Sequence, residues 1–259
     1  SADRLQSNYE TSQNVDQKRL ARLVGLVALA LPATMFLGAS SLEICRRDSI
    51  SHYYFDPYLG PWFVGMLVFI AGFMLTYRGG SLREDIMSSI AGLGAVFVAV
   101  YPTTGTGCDG WETMNSRVFI SVTLSDPPAV AAIENDSLFQ LFSHSGAIHS
   151  LGAAAVFGFL AYYCWTAFKR ILPPIHEPEG NRLIRKFWRN VFYGLCSCTI
   201  FSCAALLGIN ALAIVLTKVP LTAQWDAGNT TFWLEAIALW AFGLAWLTKG
   251  RVFWFLNDP

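Results

Sequence analysis

The stretch CRRDSISHYYFDPY, Cys45 to Tyr58, sets a cysteine, two arginines, two aspartates, a histidine and three tyrosines between two long apolar runs. Within it, Ser49, Ser51 and His52 are the residue types of a nucleophile and its base, although neither serine stands in a GxSxG elbow. Two further groups lie inside apolar runs, where an ionisable side chain is costly and turns toward protein or water rather than lipid. They are His149 in HSGAIHSLGAAAVFG and Glu235 in TFWLEAIALW. His52, His149 and Glu235 are therefore the candidates for acid–base work, and the catalytic role of each is unknown. Two structural readings compete with that chemistry. His149 suits a hydrogen-bonded packing residue, and Glu235 suits an ion pair with Arg46 or Arg47, since a carboxylate in hydrocarbon must be protonated or matched.

Metal chemistry finds little support in the spacing. His144 and His149 are five apart, about 140° round a helix, so they do not clamp one ion. A site would need His149 with ligands such as His52 and Glu235 from other segments. The Cys196–Cys198 pair falls on different helix faces, and no paired-histidine spacing marks a haem. No metal site and no cofactor are expected, while the sequence leaves metal and haem open.

The elements that position these groups follow from composition. Of 259 residues, 54% are hydrophobic and 14% charged, with mean hydropathy +0.42 and zero net charge. A soluble domain carries about 25% charged residues, so a membrane protein is expected, and zero net charge offers no field to attract nucleic acid. Six apolar blocks run at about 23–42, 60–77, 86–104, 145–168, 191–217 and 231–248, each near the ~20 residues of a spanning helix. Their continuous rather than alternating apolarity argues against a β-barrel.

With the N-terminus inside, fourteen of the eighteen lysines and arginines fall on inner segments, leaving Arg46, Arg47, Arg117 and Lys218 outside. That bias predicts an all-α integral membrane protein of six transmembrane helices with N- and C-termini cytoplasmic. Residues 1–22 form a polar N-terminal segment, 23–248 a single six-helix domain and 249–259 a cytoplasmic tail. The first block is preceded by a long polar segment and exceeds a signal-peptide core, so it reads as a retained span. Cys45 and Cys108 are the two cysteines in outer segments, and a bridge between them is expected in an oxidising compartment.

Two connections carry pattern. The outer 105–144 loop is expected to be structured, with a short strand near 118–124 and a helix opening after Asp126 at its prolines. On the inner side, Arg182, Arg185, Lys186 and Arg189 with Phe187 and Trp188 suit either an ordinary positive flank or a helix lying on an anionic leaflet.

SISHYY, followed by a span opening at Pro61 and Trp62, and later HSLGAAAVFGFLAYYC, resemble the six-span damage-regulated autophagy modulator (DRAM-like) family and related bacterial families of unknown function. The ending FWLEAIALWAFGLAWLTKG looks like uncharacterised bacterial membrane proteins. The resemblance carries over Ser49, Ile50, Ser51 and His149, and departs at His52, where the family often has an acidic residue. It implies an architecture and a lipid-related setting.

The resulting expectation is an outward-facing polar pocket in the outer third of the bundle that binds, and in one version modifies, a lipid headgroup or small amphiphile. Arg46 and Arg47 would meet an anionic group, with Ser49, Ser51, Tyr53, Tyr101 and Asn210 as further binding residues. The competing readings are a non-catalytic accessory subunit of a larger membrane complex or homo-oligomer, and a transporter, which lacks support from any internal repeat. Membrane lipids are the expected partners. The bacterial inner membrane is the expected location, with the 45–58 and 105–144 loops periplasmic.

Overall fold

A computed structural model describes the backbone of residues 2–56, 58–78, 81–101, 145–166 and 180–256. Among the described residues the chain is all-helical: α1 (Ala2–Ser41), α2 (Leu59–Thr76), α3 (Leu82–Val100), α4 (Ser145–Thr166), α5 (Gly180–Thr217) and α6 (Thr230–Lys249). Two 3-10 turns, Ile50–Phe55 and Trp254–Leu256, accompany them. Five helices are long and apolar enough to cross a membrane: α1 over Lys18–Ser41, α2, α4, α5 over Arg185–Thr217, and α6. α3 carries Arg83, Glu84 and Asp85 in its first turn, which keeps it outside that group.

The helices alternate in direction and pack in chain order as a closed ring, α1 against α2 and onward to α6, which returns to α1. Contacts at the two ends fix this arrangement. At one end, Arg22 Nε donates to Gly250 O at 2.7 Å and Tyr163 donates to the Tyr77 hydroxyl. At the other, which holds the 3-10 turn Ile50–Phe55, α6 meets the segment after α1, and His149 meets the end of α3.

Small residues set the helix spacing. A Cβ at Gly94 would lie 2.6 Å from Gly152 O, and one at Gly152 the same distance from Gly94 O, so α3 and α4 cross backbone to backbone as membrane helices with facing small residues do. Gly60 performs the same service for the 3-10 turn, because a Cβ there would lie 2.4 Å from Tyr54 O. Two buried clusters fill the interior. One surrounds Phe73, Tyr163, Phe242 and Trp246, where the Tyr163 and Trp246 rings stack at 6.0 Å. The other lies toward the 3-10 turn around Met35, Tyr53, Phe63 and Phe232.

Three helices begin four or more residues before their apolar blocks. Residues 2–22 are helical and continuous with the first span. The basic stretch at 182–189 likewise forms the first turns of α5, as a flank of that span; no glycine or proline interrupts 181–193, and extending a helix is cheaper than starting another. α3 begins at Leu82, four residues before the apolar block, because Ser81 caps it: its hydroxyl accepts from Glu84 N–H at 3.4 Å, in a Ser-x-x-Glu pattern. The strand and helix expected within 105–144 lie outside the described residues.

Candidate functional site

Asp48, Ser49, Ser51 and His52 come to one place because the chain leaves α1 through a left-handed turn and immediately winds into a 3-10 helix. Glu43 supplies the turn with φ 53°, and Ile44 N–H reaches back to Ala39 O at 2.9 Å. Ser49 then caps Ile50–Phe55, its hydroxyl accepting from Ser51 N–H at 3.2 Å. The turn is anchored from below by Tyr53, 1% exposed, whose hydroxyl accepts from Arg47 N–H at 3.3 Å. Burial pushes the Tyr53 pKa above its ordinary value, against the opposing pull of that Arg47 hydrogen bond and of the two arginine charges.

This turn docks on the first turns of α6. Phe232 N–H donates to Asp48 O at 2.7 Å. Glu235 accepts from Ile50 N–H at 2.7 Å and from the Ser49 hydroxyl at 3.0 and 3.1 Å. The Ser49 and Ser51 hydroxyls are 2.8 Å apart, so Ser51 extends the chain of hydroxyls leading to the carboxylate. Beside it, His52 Nδ1 and Asp48 Oδ1 approach to 2.5 Å, with both side chains buried. On α4, His149 Nδ1 donates to Tyr101 O at 2.8 Å; a carbonyl only accepts, so this nitrogen bears the proton and, in the neutral ring, Nε2 is an acceptor. Asn210 of α5 accepts from Leu221 N–H at 2.8 Å and so holds the connection to α6.

These groups share a cavity of about 1270 Å³ bounded by α4, α5, α6 and the 3-10 turn. Its polar end is formed by Asp48, Ser49, Ser51, His52, His149 and Glu235, joined by Asp226 and Thr231. From there it continues between α4 and α5 past Phe157, Ala161 and Phe201 to Trp165. His149 to Trp165 is about 24 Å of helix at 1.5 Å per residue, against a bilayer hydrocarbon thickness of about 30 Å. The polar groups thus occupy one end of a much longer space.

The sequence candidates divide. His52, His149, Glu235, Ser49, Ser51 and Asn210 line the large cavity. Arg46, Arg47 and Tyr53 line a separate recess of about 30 Å³ with Phe36 and Phe232. The expected pairing of Glu235 with Arg46 or Arg47 does not form among the described residues. Arg46 instead stacks its guanidinium 4.8 Å over the Phe36 ring and donates to Ser40 Oγ at 3.3 Å. Tyr101 contributes its backbone carbonyl to His149 and lines neither space. Asp48 and Asp226 are site residues that the sequence reading passed over; the Asp48–His52 spacing of four was the available signal for the first, and nothing in the sequence marked the second.

Among the described residues no three histidine, cysteine or acidic side chains converge on a point that would hold a metal ion. Cys164, Cys196, Cys198 and Cys203 are free thiols and Cys45 is not among them; its expected partner Cys108 lies outside the described residues, as does His144. Comparison with protein-family models, curated proteins and solved structures finds no match for the chain.

Proposed function

We propose that the protein binds a membrane amphiphile, with the headgroup at the Glu235 end of the cavity and the chain laid between α4 and α5 toward Trp165. The observation that carries this reading is the division of one continuous space into a polar end and a long, mainly apolar run. A pocket for a compact polar solute has no use for about 24 Å of apolar wall, whereas a lipid matches both parts. The DRAM-like resemblance, with its lipid-related setting, is part of the same proposal.

The reading includes the finer topology. α3 is the sixth span, both termini are cytoplasmic, and the 45–58 and 105–144 segments face the outer side of a bacterial inner membrane, joined by a Cys45–Cys108 bridge. The headgroup end then opens toward the outer leaflet.

Glycines in the cavity wall give the test. A Cβ at Gly158 or Gly208 meets nothing within 4 Å, and both residues line the cavity. A tryptophan there projects into the cavity from a Cβ that meets no protein, and replacing helical glycine favours the helix by up to about 1 kcal/mol. Purified in mild detergent, the wild-type chain should retain a lipid by native mass spectrometry, and Gly158→Trp and Gly208→Trp should be folded and stripped of it. Equal retention by all three would refute the proposal.

A second reading, membership of a larger complex, draws on α5, whose span is only 17% buried against 39% or more for the others. Stoichiometric co-purification of another subunit, lost on placing charges along α5, is its test.

A further inference from the structure

We infer that the amphiphile carries a protonated amine rather than an anionic head; this rests on the amphiphile reading above and narrows it. The sequence alone suggests the opposite, since two arginines adjoin the site. The geometry removes them: Arg46 lies over Phe36, and Arg47 lines the small recess with Phe36 and Phe232 rather than the large cavity.

What remains at the polar end of the large cavity is acceptor chemistry. Asp226 and Glu235 contribute carboxylates, Asp48 contributes a third that is paired with His52, and no lysine or arginine lines the cavity among the described residues. His149 contributes an acceptor nitrogen, because Nδ1 is committed to Tyr101 O. A phosphate or sulfate head would bring more negative charge against the Asp226 and Glu235 carboxylates in a place of low dielectric, where repulsion is weakly screened. A primary ammonium brings three donors and one positive charge, and each matches a group already present. A bound cation would also hold Glu235 ionised, in keeping with the two donors, Ser49 Oγ–H and Ile50 N–H, that its carboxylate accepts from.

The apolar wall sets the second requirement. Ala154, Phe157, Ala161, Phe201 and Ala205 make the deeper wall mainly apolar, and the Ser197 hydroxyl there is spent on Ala161 O, so a hydrocarbon chain suits it. The class is an alkyl or acyl chain bearing one amine at its head, whether a membrane lipid or a free long-chain amine.

The test uses the full chain in nanodiscs of uncharged lipid and three probes sharing one brominated hydrocarbon chain: a primary alkylammonium, an alkyl alcohol and an alkyl phosphate. Bromine quenches indole at contact, and Trp165→Phe identifies the signal from the cavity. The ammonium probe should bind at least about tenfold more tightly than the phosphate, with the alcohol between. Glu235→Gln should abolish that preference, and Asp226→Asn, at an exposed position outside the packed core, should narrow it about twofold. Should Glu235→Gln fail to fold, the wild-type series and Asp226→Asn still decide. Phosphate binding equal to or tighter than ammonium overturns the head assignment and leaves the amphiphile reading standing. No saturable quenching by any probe overturns both.

Discussion

The Ser49 hydroxyl joins two parts of the chain 186 positions apart, donating to both carboxylate oxygens of Glu235 at 3.0 and 3.1 Å while capping its own 3-10 turn. One oxygen therefore shapes the local backbone and ties it to α6. Ser51, by contrast, bonds only the Ser49 oxygen among the described residues. Ser49→Ala should cost about 1–3 kcal/mol, the range for stranding a buried polar partner, and Ser51→Ala less than about 1 kcal/mol. Thermal unfolding in detergent ranks the two, and a larger loss for Ser51→Ala would contradict the junction.

The Gly94–Gly152 crossing predicts an asymmetry among glycines of α4. Gly152→Val drives a side chain into the α3 backbone, which is already 2.6 Å from an added Cβ, whereas Gly146→Val points into open space. Overpacking costs about 1–3 kcal/mol, so Gly152→Val should lower the melting temperature clearly and Gly146→Val should not. His149 rides on the same interface, so separation of α3 from α4 should also loosen its bond to Tyr101.

Part of this architecture is legible in the sequence for a simple reason: polar atoms inside apolar runs must be matched, so Glu235, His149 and Asn210 announce themselves. Their partners do not. Glu235 invites the nearest arginine, but a long side chain goes where its backbone aims it. The left-handed turn at Glu43 and the aromatic face of Phe36 send Arg46 away from the carboxylate, and a backbone N–H and a serine take its place. The helical continuity of 181–190 with the fifth span was readable from the lack of glycine and proline between 181 and 193. The depth of the cavity was not, because it arises from small residues on two helices facing each other, which no single window contains.

Tyr53 predicts an alkaline instability. Burial favours the neutral phenol, so the pKa in the fold lies above the unfolded value of about 10. With a raised folded pKa, the stabilising contribution is complete below the unfolded pKa and is lost as pH rises toward and through the folded one. Tyr53→Phe removes the titration but strands the buried Arg47 N–H, at about 1–3 kcal/mol. The wild type should therefore be the more stable at neutral pH, and its melting temperature should fall more steeply than the variant's above about pH 10. Parallel curves would mean that Tyr53 is not buried in this way.

Whether α3 crosses the bilayer decides the sidedness of everything above. Its 19 residues reach about 28 Å, close to the hydrocarbon thickness of about 30 Å. Its three charges are confined to the first turn, where end residues reach the interface at modest cost. Glu84 is 3% exposed, so that acid is covered by protein rather than presented to lipid. α3 also packs between α2 and α4, whose spans are apolar enough to cross. Six crossings return the chain to the side where it began, and five do not. Reporters fused separately to the two ends should therefore read the same compartment, and on the proposed topology, drawn from the lysine and arginine bias, that compartment should be the cytoplasm. Opposite readings would remove α3 as a span, and with it the placement of the Glu235 end at the outer leaflet.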